Sequence, residues 1–583
     1  MCLFLLFSSL CHADIGGAGS TCDPSTPNWS LCTLQQNPFQ KNIKNTVKIP
    51  AGNYEKPFLA DQNHTEYVLQ GNMTSNGTAI IVDGSFVSVN LNGYSITYNE
   101  THGGCGVYLG KSYGKHHVSI RNGSIIQGAA NSKSDQYGKG NNPITSADPS
   151  LGNASIKHTH ISNLYIRVSS QNNCGLQLWW STNALIEQCT VEDTYGFGEI
   201  SNRHQGVDSI KTANDSVVRN CTVLNSKHRG INMGYGSSAY GNRVQTRSIA
   251  TNAAGICNAK YIYNNTIITR GEHSIGIMLS NSKDNMKYYV YNNYINSKTT
   301  HLGAEYGNDY HENKNATIIG NNAVGFRNTW NGKNIYLYNN EIYVESDSNY
   351  KGYFSPTGET AYINARAKGL MIGPNTGDKS FYYNNTVTAI DKDGSGEAIA
   401  VALSHNFSDA LLIANNTLIS NICCVSVGDS YGQCSGFPLL KNNTLIRQGN
   451  FKNFKAIACY YPDRNAKARF VDNIYLNGTI EDSMSFRANS EGTIEILFGK
   501  EIKDEIVYFY SYHDAKNSSS VLLKETYNPP ITLPYANPAT DSSQLCSEYL
   551  FLCEDKSGCS ASGGYWYEGV CNANPEEDLP GGR

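Results

Sequence analysis

The chain has 583 residues, a formal net charge of −4 and only 16% charged residues, and it contains 67 asparagines, 54 glycines and 39 tyrosines. This composition argues against a disordered solvating chain, and it is poor for an α-solenoid or coiled coil, which favour Ala, Glu, Lys and Leu. The absence of a basic run argues against nucleic acid as a partner. A β-rich architecture is therefore the expectation.

Residues 1–13 contain the apolar run CLFLLFSSLC and end at His12-Ala13, a pattern typical of a short secretory signal peptide. No later stretch reaches the roughly 18 apolar residues that a membrane span needs. We therefore expect the mature chain to be secreted or held at the cell surface, without a membrane span. Loss of Cys2 and Cys11 leaves 15 of the 17 cysteines. In an exported chain these are expected to form disulfides, with at least one left over.

A short phrase recurs along the chain, in which an alternating strand is followed by an asparagine pair, as in YIYNNTI at Tyr261 and YLYNNEI at Tyr336. The last asparagine of each phrase falls at Asn265, Asn293, Asn340, Asn385, Asn416, Asn443 and Asn473. The shorter spacings suit one coil of a β-solenoid, and stacked asparagines can bond to one another from coil to coil. IEQCTV and VRNCTV fit the same register and place Cys189 and Cys221 in the asparagine column.

A second phrase supports a coiled arrangement: CGLQL at Cys174, QGVDSI at Gln205, RGINM at Arg229, VGFRN at Val324 and KGLMI at Lys368. Each coil therefore contributes at least two strands to separate parallel sheets. VKIPAGNYE at Val47, VSVNLNGYSI and VSIRNGSIIQG resemble the opening coils of right-handed, pectate-lyase-like β-helix proteins. The resemblance implies an all-β, single-stranded parallel β-helix. It also implies a polysaccharide-active protein, although the superfamily includes lyases, hydrolases, epimerases, tailspikes and non-catalytic surface proteins.

These patterns divide the chain into a signal peptide at 1–13, an N-terminal cap segment at 14–44, a β-helix at 45–500, a linker at 501–543 and a Cys-rich tail at 544–583. The tail contains Cys546, Cys553, Cys559 and Cys571, enough for two disulfides. Insertions are predicted near residues 126–152, 237–256, 298–318 and 345–362. Long loops often build functional clefts, so we expect a cleft over the coils between residues 170 and 370.

Alignment of these coils predicts an outward column of three stacked histidines. His204 and His228 each precede a glycine by two residues, and His273 precedes Ile275 by two. Strand period two then places Asp208 and Asn232 on the same face, together with Gly206 and Gly230 as a groove floor. Gln177 and Arg327 extend this column. At the adjoining corner Trp180, Tyr235 and Trp330 align with Lys211, a pattern that suits sugar stacking beside a cation.

Two chemistries fit this patch. A lyase acting on a uronic acid polymer neutralises the carboxylate and removes a proton with a base, for which His228 or His204 would serve with Lys211, Asn232 and Arg327. A glycoside hydrolase needs two carboxylates, and Asp208 with Glu199 is the pair near the groove. The lyase or epimerase reading fits slightly better, and a non-catalytic glycan-binding fibre or adhesin is the other alternative.

Two further features concern ligands. DKDGSGE has the spacing of a calcium loop, with Asp391, Asp393 and Glu397 as oxygen ligands, although a polar turn without metal has the same pattern. Aromatic residues from Tyr261 to Tyr383 form a double ladder on the outward face of the asparagine-repeat sheet. Cross-strand stacking accounts for this ladder, and the alternative is a surface for glycan contact or self-association.

Overall fold

The structure is a computed structural model of the full chain. It describes residues 42–110, 116–130, 141–146, 157–170, 173–193, 208–248, 253–271, 273–280, 286–299, 322–328, 334–347, 366–373, 380–392, 394, 396–403, 411–427, 438–449, 454–459, 467–471 and 473–476, and beyond these only short strands. The chain divides into an N-terminal unit, Met1–Thr194 with Asn220–Thr222 and Asn537–Arg583, and a C-terminal unit, Tyr195–Arg219 with Val223–Ala536. None of the described residues belongs to a helix long and apolar enough to cross a membrane.

Each coil contributes three strands, one to each of three columns of parallel strands. The first column contains Asn45–Ile49, Thr65–Leu69, Val87–Asn90, the first halves of His116–Gln127 and Lys157–Val168, Leu185–Glu187, Val217–Arg219, Ser238–Tyr240, Tyr261–Tyr263, Tyr288–Tyr291, Ile335–Tyr338, Ser380–Tyr383, Leu411–Ala414, Leu439–Lys441, Lys467–Val471 and Glu495–Phe498. The second column contains Gly52–Tyr54, Met73–Ser75, Ser95–Tyr98, the second halves of the two long strands, Thr190–Asp193, Thr222–Ser226, Arg243–Ser248, Thr266–Gly271, Tyr294–Thr299, Glu341–Ser346, Thr386–Asp391, Thr417–Ser420, Thr444–Arg447 and Ile474–Leu476.

The third column forms a separate sheet, made of Phe58–Ala60, Ile80–Val82, Val107–Leu109, Ile144–Ser146, Leu176–Leu178, Ile210–Thr212, Arg229–Asn232, Ala253–Cys257, His273–Leu279, Asn322–Asn328, Arg366–Ile372, Glu397–Leu403, Cys423–Val427, Lys455–Cys459 and Met484–Phe486. Strands Glu501–Lys503, Ile506–Tyr508, Ser511–Asp514 and Ser520–Val521 pair antiparallel, and Tyr565–Tyr567 forms a hairpin with Val570–Asn572. The prediction of an all-β parallel β-helix is confirmed.

The core of each coil is filled by every second residue of its strands. In the second column the inward residues Val244, Ile267, Ile295, Ile342 and Val387 are at most 1% exposed. Ile256, Ile277, Phe326 and Leu370 of the third column are fully buried as well. β-branched and long aliphatic side chains therefore form the interior, as the strand period of two requires.

The asparagine column is a continuous hydrogen-bonded ladder at the turn between the first and second columns. Each amide nitrogen donates to the amide oxygen of the next asparagine at 2.8–3.0 Å, from Asn242 through Asn265, Asn293, Asn340, Asn385, Asn416 and Asn443 to Asn473. Each also donates to a first-column carbonyl of an earlier coil, as Asn340 does to Val290 at 2.9 Å. The ladder thus begins one coil before the predicted repeat, and it holds the ends of the first-column and second-column strands in the coils from Asn242 to Asn473.

Cys189 and Cys221 make the corresponding contacts in the N-terminal unit. Their thiols point to the carbonyls of Ile161 and Ile186, each at 3.7 Å. This agrees with the prediction that they occupy the asparagine column.

The residue before each ladder position from Asn242 to Asn443 has a left-handed backbone conformation. In the C-terminal unit φ lies between 53° and 65° at Gly241, Asn264, Asn292, Asn339, Asn384, Asn415 and Asn442. Asparagine and glycine tolerate this conformation better than other residues. The pair therefore combines two roles, because the first residue turns the chain and the second bonds from coil to coil.

The outward aromatic residues of the first column form two stacks. The inner stack runs Tyr240, Tyr263, Tyr291, Tyr338 and Tyr383 with ring centroids 4.7–5.0 Å apart, and the outer stack runs Tyr261, Tyr289, Tyr336 and Phe381 at 5.1–5.2 Å. The four rings from Tyr263 to Tyr383 in the inner stack are at most 4% exposed. Most of this aromatic area therefore stabilises the fold.

The cysteines whose side chains are described form no disulfide. Cys105, Cys174, Cys189, Cys221, Cys257, Cys423 and Cys424 are buried thiols. The disulfides predicted for an exported chain are therefore not found among these seven. The side chains of the four tail cysteines lie outside the described part of the chain.

Asn340→Ala tests the ladder, because it removes the donor and acceptor between Asn293 and Asn385 in a buried row. We expect the free energy of unfolding to fall by about 2–4 kcal/mol, since several buried polar groups lose a partner. Urea denaturation followed by circular dichroism measures this loss. The neighbouring exposed Asn339→Gly keeps the left-handed turn and should change the free energy by less than about 0.5 kcal/mol. Equal losses in the two variants would contradict the ladder's role.

Candidate functional site

Several predicted site residues cannot be placed. Glu199, His204, Trp330 and Asp393 lie outside the described residues, and for His273 only the backbone is described. The remaining predicted residues can be tested by strand register.

The predicted histidine stack is wrong for His228 and His273. Arg229 pairs with Ala254, and Ala254 pairs with Ile275, so the glycine column runs Gly230, Gly255, Gly276. The prediction aligned Gly230 with Ile275 instead of Gly276. His273 pairs with Asn322, one position before the row that His228 occupies. A shift of one residue reverses the face of a strand, so the two histidines do not stack.

The register also moves Asp208 and Lys211. Ile210 pairs with Ile231, and Lys211 pairs with Asn232. The prediction placed Asp208 beside Asn232, which is an offset of three residues. The structure instead brings Asp208 to the level of Arg229, because the amide of Ser209 donates to the Arg229 carbonyl at 2.9 Å.

The glycines of the third column do not form a groove floor. A Cβ atom added to any of them would overlap a core side chain of the second column, such as Val244 beside Gly230 or Ile342 beside Gly325. The same holds for Gly255, Gly276 and Gly369, which face Ile267, Ile295 and Val387. These glycines therefore point inward and let the second and third columns approach closely.

The buried carboxylate of Asp208 is the centre of the polar cluster in the C-terminal unit. Asp208 and His228 are 4% and 3% exposed. The Nδ1 atom of His228 lies 3.3 Å from Asp208 Oδ1, and the Asn232 amide donates to Asp208 Oδ2 at 2.8 Å. Asn258 in turn donates to Asn232 Oδ1 at 3.2 Å and accepts from the Ser280 hydroxyl at 2.8 Å. Both carboxylate oxygens are therefore held in place.

Asp208 stays ionised despite its burial. Burial by itself raises its pKa, but the hydrogen bond from His228 and the charges of Arg229, His228 and Lys211 outweigh burial, so the pKa lies well below the ordinary value of 3.8. A buried anion beside an imidazole is the arrangement that orients a general base.

Arg229 was not predicted, although it directly follows His228 in the sequence. Its guanidinium is partly buried, which by itself lowers the pKa of Arg229, but the negative charge of the nearby Asp208 outweighs burial, so this pKa is raised. The structure gives it no hydrogen bond or ion pair within the described residues, and its Nε atom is buried without a partner. A partly desolvated cation without a carboxylate partner is suited to binding an anionic group.

Arg327 shares the outward row of Asn232 but lies far from Asp208. The row runs Asn232, Cys257, Met278, Arg327, so three strand spacings of about 4.8 Å separate its ends. The outward side chains between them, with Ala254, Ile275 and Val324, form an apolar cluster that is at most 3% exposed. A continuous polar cleft over these coils is therefore not observed. The insertion predicted at 237–256 is also wrong, because three strands occupy that segment.

The corner residue Tyr235 does not lie beside Lys211. The Tyr235 amide donates to Asn214 Oδ1 at 2.9 Å, so Asn214 and not Lys211 is the neighbour of the partly buried Tyr235. Gln177 and Trp180 belong to the N-terminal unit. There Gln177 is buried and pairs with Thr145, and the Trp180 amide donates to Ser146 Oγ at 3.3 Å.

Two of the predicted calcium ligands, Asp391 and Glu397, bond to protein groups. Asp391 accepts from the Ser346 hydroxyl at 3.0 Å and from the Gly396 amide at 2.8 Å, and Glu397 faces Arg366 at 3.5 Å. Among the described residues no group of three or more His, Cys, Asp or Glu could hold a metal ion. The geometry of Asp391 therefore fits the polar turn.

No family model and no curated protein matches the chain. Similar solved structures include the catalytic unit of a GH87 α-1,3-glucanase from Streptomyces thermodiastaticus, with 12% identity over 77% of this chain and 65% of that chain and a TM-score of 0.27. The Dettilon tailspike protein matches with 12% identity over 74% of this chain and 62% of that chain, at a TM-score of 0.26. The A-module of the mannuronan C-5 epimerase AlgE6 from Azotobacter vinelandii matches with 11% identity over 74% of this chain and 91% of that chain, at a TM-score of 0.27.

By its strand topology the chain is a parallel β-helix protein. The chain spans less than two thirds of the glucanase and tailspike chains. At these identities the likeness concerns the fold. Chemistry in this β-helix has to be argued from its own side chains.

Gly325→Ala tests the inward direction of the glycine column. The added methyl group would meet Ile342 in the core and the Gly369 carbonyl, so we expect the free energy of unfolding to fall by about 1–3 kcal/mol. Thermal and urea denaturation measure the change, with the outward Thr388→Ala as the control. An unchanged stability would mean that Gly325 faces outward.

Asp208→Asn tests the charge at the centre of the cluster. We expect a loss of roughly 2–4 kcal/mol at pH 7, because His228 and Asn232 lose their buried hydrogen-bonded anion and the nearby positive charges of Arg229 and Lys211 are no longer offset. A carboxylate whose folded pKa is depressed stabilises the fold above its unfolded pKa, and this contribution declines as the pH falls below about 4. The difference between the wild type and the variant should therefore shrink from pH 7 to pH 3. Urea midpoints at several pH values measure it, and exposed Glu341→Gln is the control; a difference independent of pH would contradict the assignment.

Proposed function

We propose that this β-helix protein acts on an acidic polysaccharide at the cluster of Asp208, His228 and Arg229. The observation that carries the proposal is that an imidazole fixed by a buried carboxylate and a cation without an ion pair lie close together. Asp208 is a buried anion that fixes His228, and Arg229 beside it is a cation without a partner among the described residues. Lys211, which is half-buried, adds positive charge near Asp208.

The chemistry that this arrangement suits best is β-elimination at a uronic acid. Arg229, with Lys211, would bind the sugar carboxylate and lower the cost of the negative charge that develops beside it. His228, oriented by Asp208, would remove the proton from the carbon that bears the carboxylate. The glycosidic C–O bond then breaks, its electrons leave with the oxygen, and that oxygen takes up a proton. An unsaturated sugar end and a new hydroxyl end result.

A glycoside hydrolase based on Asp208 is less well supported. A general acid needs a raised pKa, whereas the pKa of Asp208 is lowered and both of its oxygens are engaged. A nucleophilic role would require a second carboxylate, for which Glu199 was predicted. An epimerase would begin with the same proton removal, but a proton would then return to the opposite face of the same carbon and the glycosidic bond would stay intact.

Export remains part of the proposal. The pattern at residues 1–13 predicts a secreted or surface protein, which suits a polymeric substrate too large to enter a cell. A non-catalytic adhesin that self-associates through the tyrosine stacks is the other candidate. Because the inner tyrosine stack is buried, it offers little accessible aromatic area for self-association.

The decisive experiment incubates the purified protein with alginate, polygalacturonate, sulfated glycans and neutral glucans. Absorbance of the unsaturated uronate and the number of reducing ends are followed together. We expect both to rise with an uronan, and His228→Ala to lower the rate by roughly 10²–10⁴-fold. Arg229→Gln should raise KM more than it lowers kcat if its contact forms with the bound substrate.

Glu341→Gln, on the second column, is the control and should leave the rate unchanged. New ends without absorbance would replace the lyase assignment by a hydrolase. Full activity in both His228→Ala and Arg229→Gln would place the site elsewhere.

A further inference from the structure

Four aromatic rings are stacked at one turn of the N-terminal unit. The turn lies at the start of the first-column strands, and it places His64, Phe86, His117 and His158 at the same position on successive coils. Each of the four has a left-handed backbone, with φ between 54° and 61°. Neighbouring rings are nearly parallel, with centroids 4.9, 4.7 and 4.5 Å apart along the series. We call these four residues the histidine stack.

The middle of the histidine stack is shielded from water. Phe86 and His117 are 3% and 1% exposed, and His64 and His158 are partly buried. The ring of His116 is nearly perpendicular to that of His117, and the two Nδ1 atoms lie 2.5 Å apart. A contact this short between two ring nitrogens needs one donor and one acceptor, so both imidazoles cannot be protonated in this arrangement.

The turn itself does not require histidine. The next coil has Asn183 at the same position, with a φ of 56°, and asparagine adopts this conformation more readily than most residues. Phe86 shows that an uncharged ring also fits. What histidine adds to the turn is a charge that changes between pH 5 and 8.

The surroundings of the two central imidazoles oppose protonation. Burial lowers the pKa of His117 well below its ordinary value of 6.5, and the charges of His158 and His116 lower it further. The pKa of His158 is lowered to about 3, first by burial and then by the charges of His116 and Lys157. Each of these neighbours is positive when protonated, so one protonation makes the next less favourable.

Carboxylates on the same strands have partners of their own. Glu66, two residues after His64, pairs with Arg121 at 2.5 Å, and Glu187 pairs with His160 at 2.8 Å. Protonation of the histidine stack would place positive rings face to face where they are partly buried, and like charges repel strongly there.

The lowered pKa values link the histidine stack to pH. An imidazole in water has a pKa of about 6.5, so opened N-terminal coils bind protons that the stacked rings do not. The stability contributed by the neutral stack is complete above about pH 6.5 and is lost as the pH falls below that value. Each histidine then favours the open form by about tenfold per pH unit, down to its folded pKa.

We propose that the histidine stack makes the N-terminal unit sensitive to acid. At neutral pH the uncharged rings pack from coil to coil and hold the starts of the first-column strands together. In mildly acidic solution His117 and His158 take up protons from water as these coils separate, and the rings no longer stack. The proposal concerns a different unit from Asp208 and does not depend on the proposed reaction.

Hydrogen–deuterium exchange of the full chain at pH 7.5 and 5.5, read by mass spectrometry and corrected for the intrinsic effect of pH on exchange, tests the proposal. In the wild type, amide protection of His116–Gln127 and Lys157–Val168 should fall by about 10- to 100-fold at pH 5.5, since each of two histidines contributes about tenfold one pH unit below 6.5. Tyr288–Tyr291 and Ile335–Tyr338 of the C-terminal unit should keep their protection within about threefold.

Two double variants separate charge from packing. His117→Phe with His158→Phe keeps the stacked rings, and we expect its protection to be high at both pH values. His117→Asn with His158→Asn keeps the turn, as Asn183 does, but loses the rings, so its protection should be lower at both pH values. In each double variant the change between pH 7.5 and 5.5 should be less than about threefold, because no stacked imidazole titrates.

The matched control is His102→Asn, which removes an exposed imidazole of the same unit that lies outside the histidine stack. It should keep the response of the wild type to acid. A full acid response in both double variants would overturn the proposal, and so would a wild type whose N-terminal and C-terminal strands lose protection equally. Loss of the response in His102→Asn would also overturn it.

Discussion

The bond between asparagine side chains of successive coils is the constraint on which the C-terminal unit depends. Each amide uses its hydrogens and its oxygen on the coils around it, so every coil is held at one height and one rotation relative to its neighbour. The preceding left-handed residue lets the chain turn sharply enough for that amide to face inward. Because one turn fixes the ends of the first and second columns, their register is set locally, coil by coil.

The third column is reached from the second by connections of variable length, so its register follows less directly from the ladder. Close approach of the two columns is made possible by glycines that face core residues such as Val244 and Ile342. That packing sets the height at which Arg229 meets Asp208 and Lys211 meets Asn232. The polar cluster is thus a consequence of core packing on the opposite face of the same strands.

The surroundings of the charged groups at Asp208 and on the second column differ. At Asp208 the anion is buried and bonded, which fixes His228 and leaves Arg229 as the group with unused donors. On the second column Arg270 is partly exposed, and backbone carbonyls hold it in position.

The sequence alone predicts the asparagine ladder, because the asparagine pair recurs directly after a strand and the turn it forms is short. It also predicted the outward aromatic stacks and the position of Cys189 and Cys221. Alignment from the sequence alone is wrong in the third column. It pairs Gly230 with Ile275 and with Gly206, whereas the structure places Gly276 and Ser209 at the level of Gly230. The residues around a glycine do not show whether the glycine faces the core or the solvent. An error of one or three residues in strand register therefore cannot be recognised from the sequence. Arg229 was missed for the same reason, since its proximity to Asp208 depends on that register.

The central claim is that Arg229 binds a sugar carboxylate next to His228. A crystal structure of the His228→Ala variant with an uronan oligosaccharide tests it most directly. We expect a sugar carboxylate within hydrogen-bond distance of the Arg229 guanidinium, with the carbon that bears it facing the cavity left at position 228. An oligosaccharide bound in this C-terminal unit with no carboxylate near Arg229 would contradict the proposed role of Arg229.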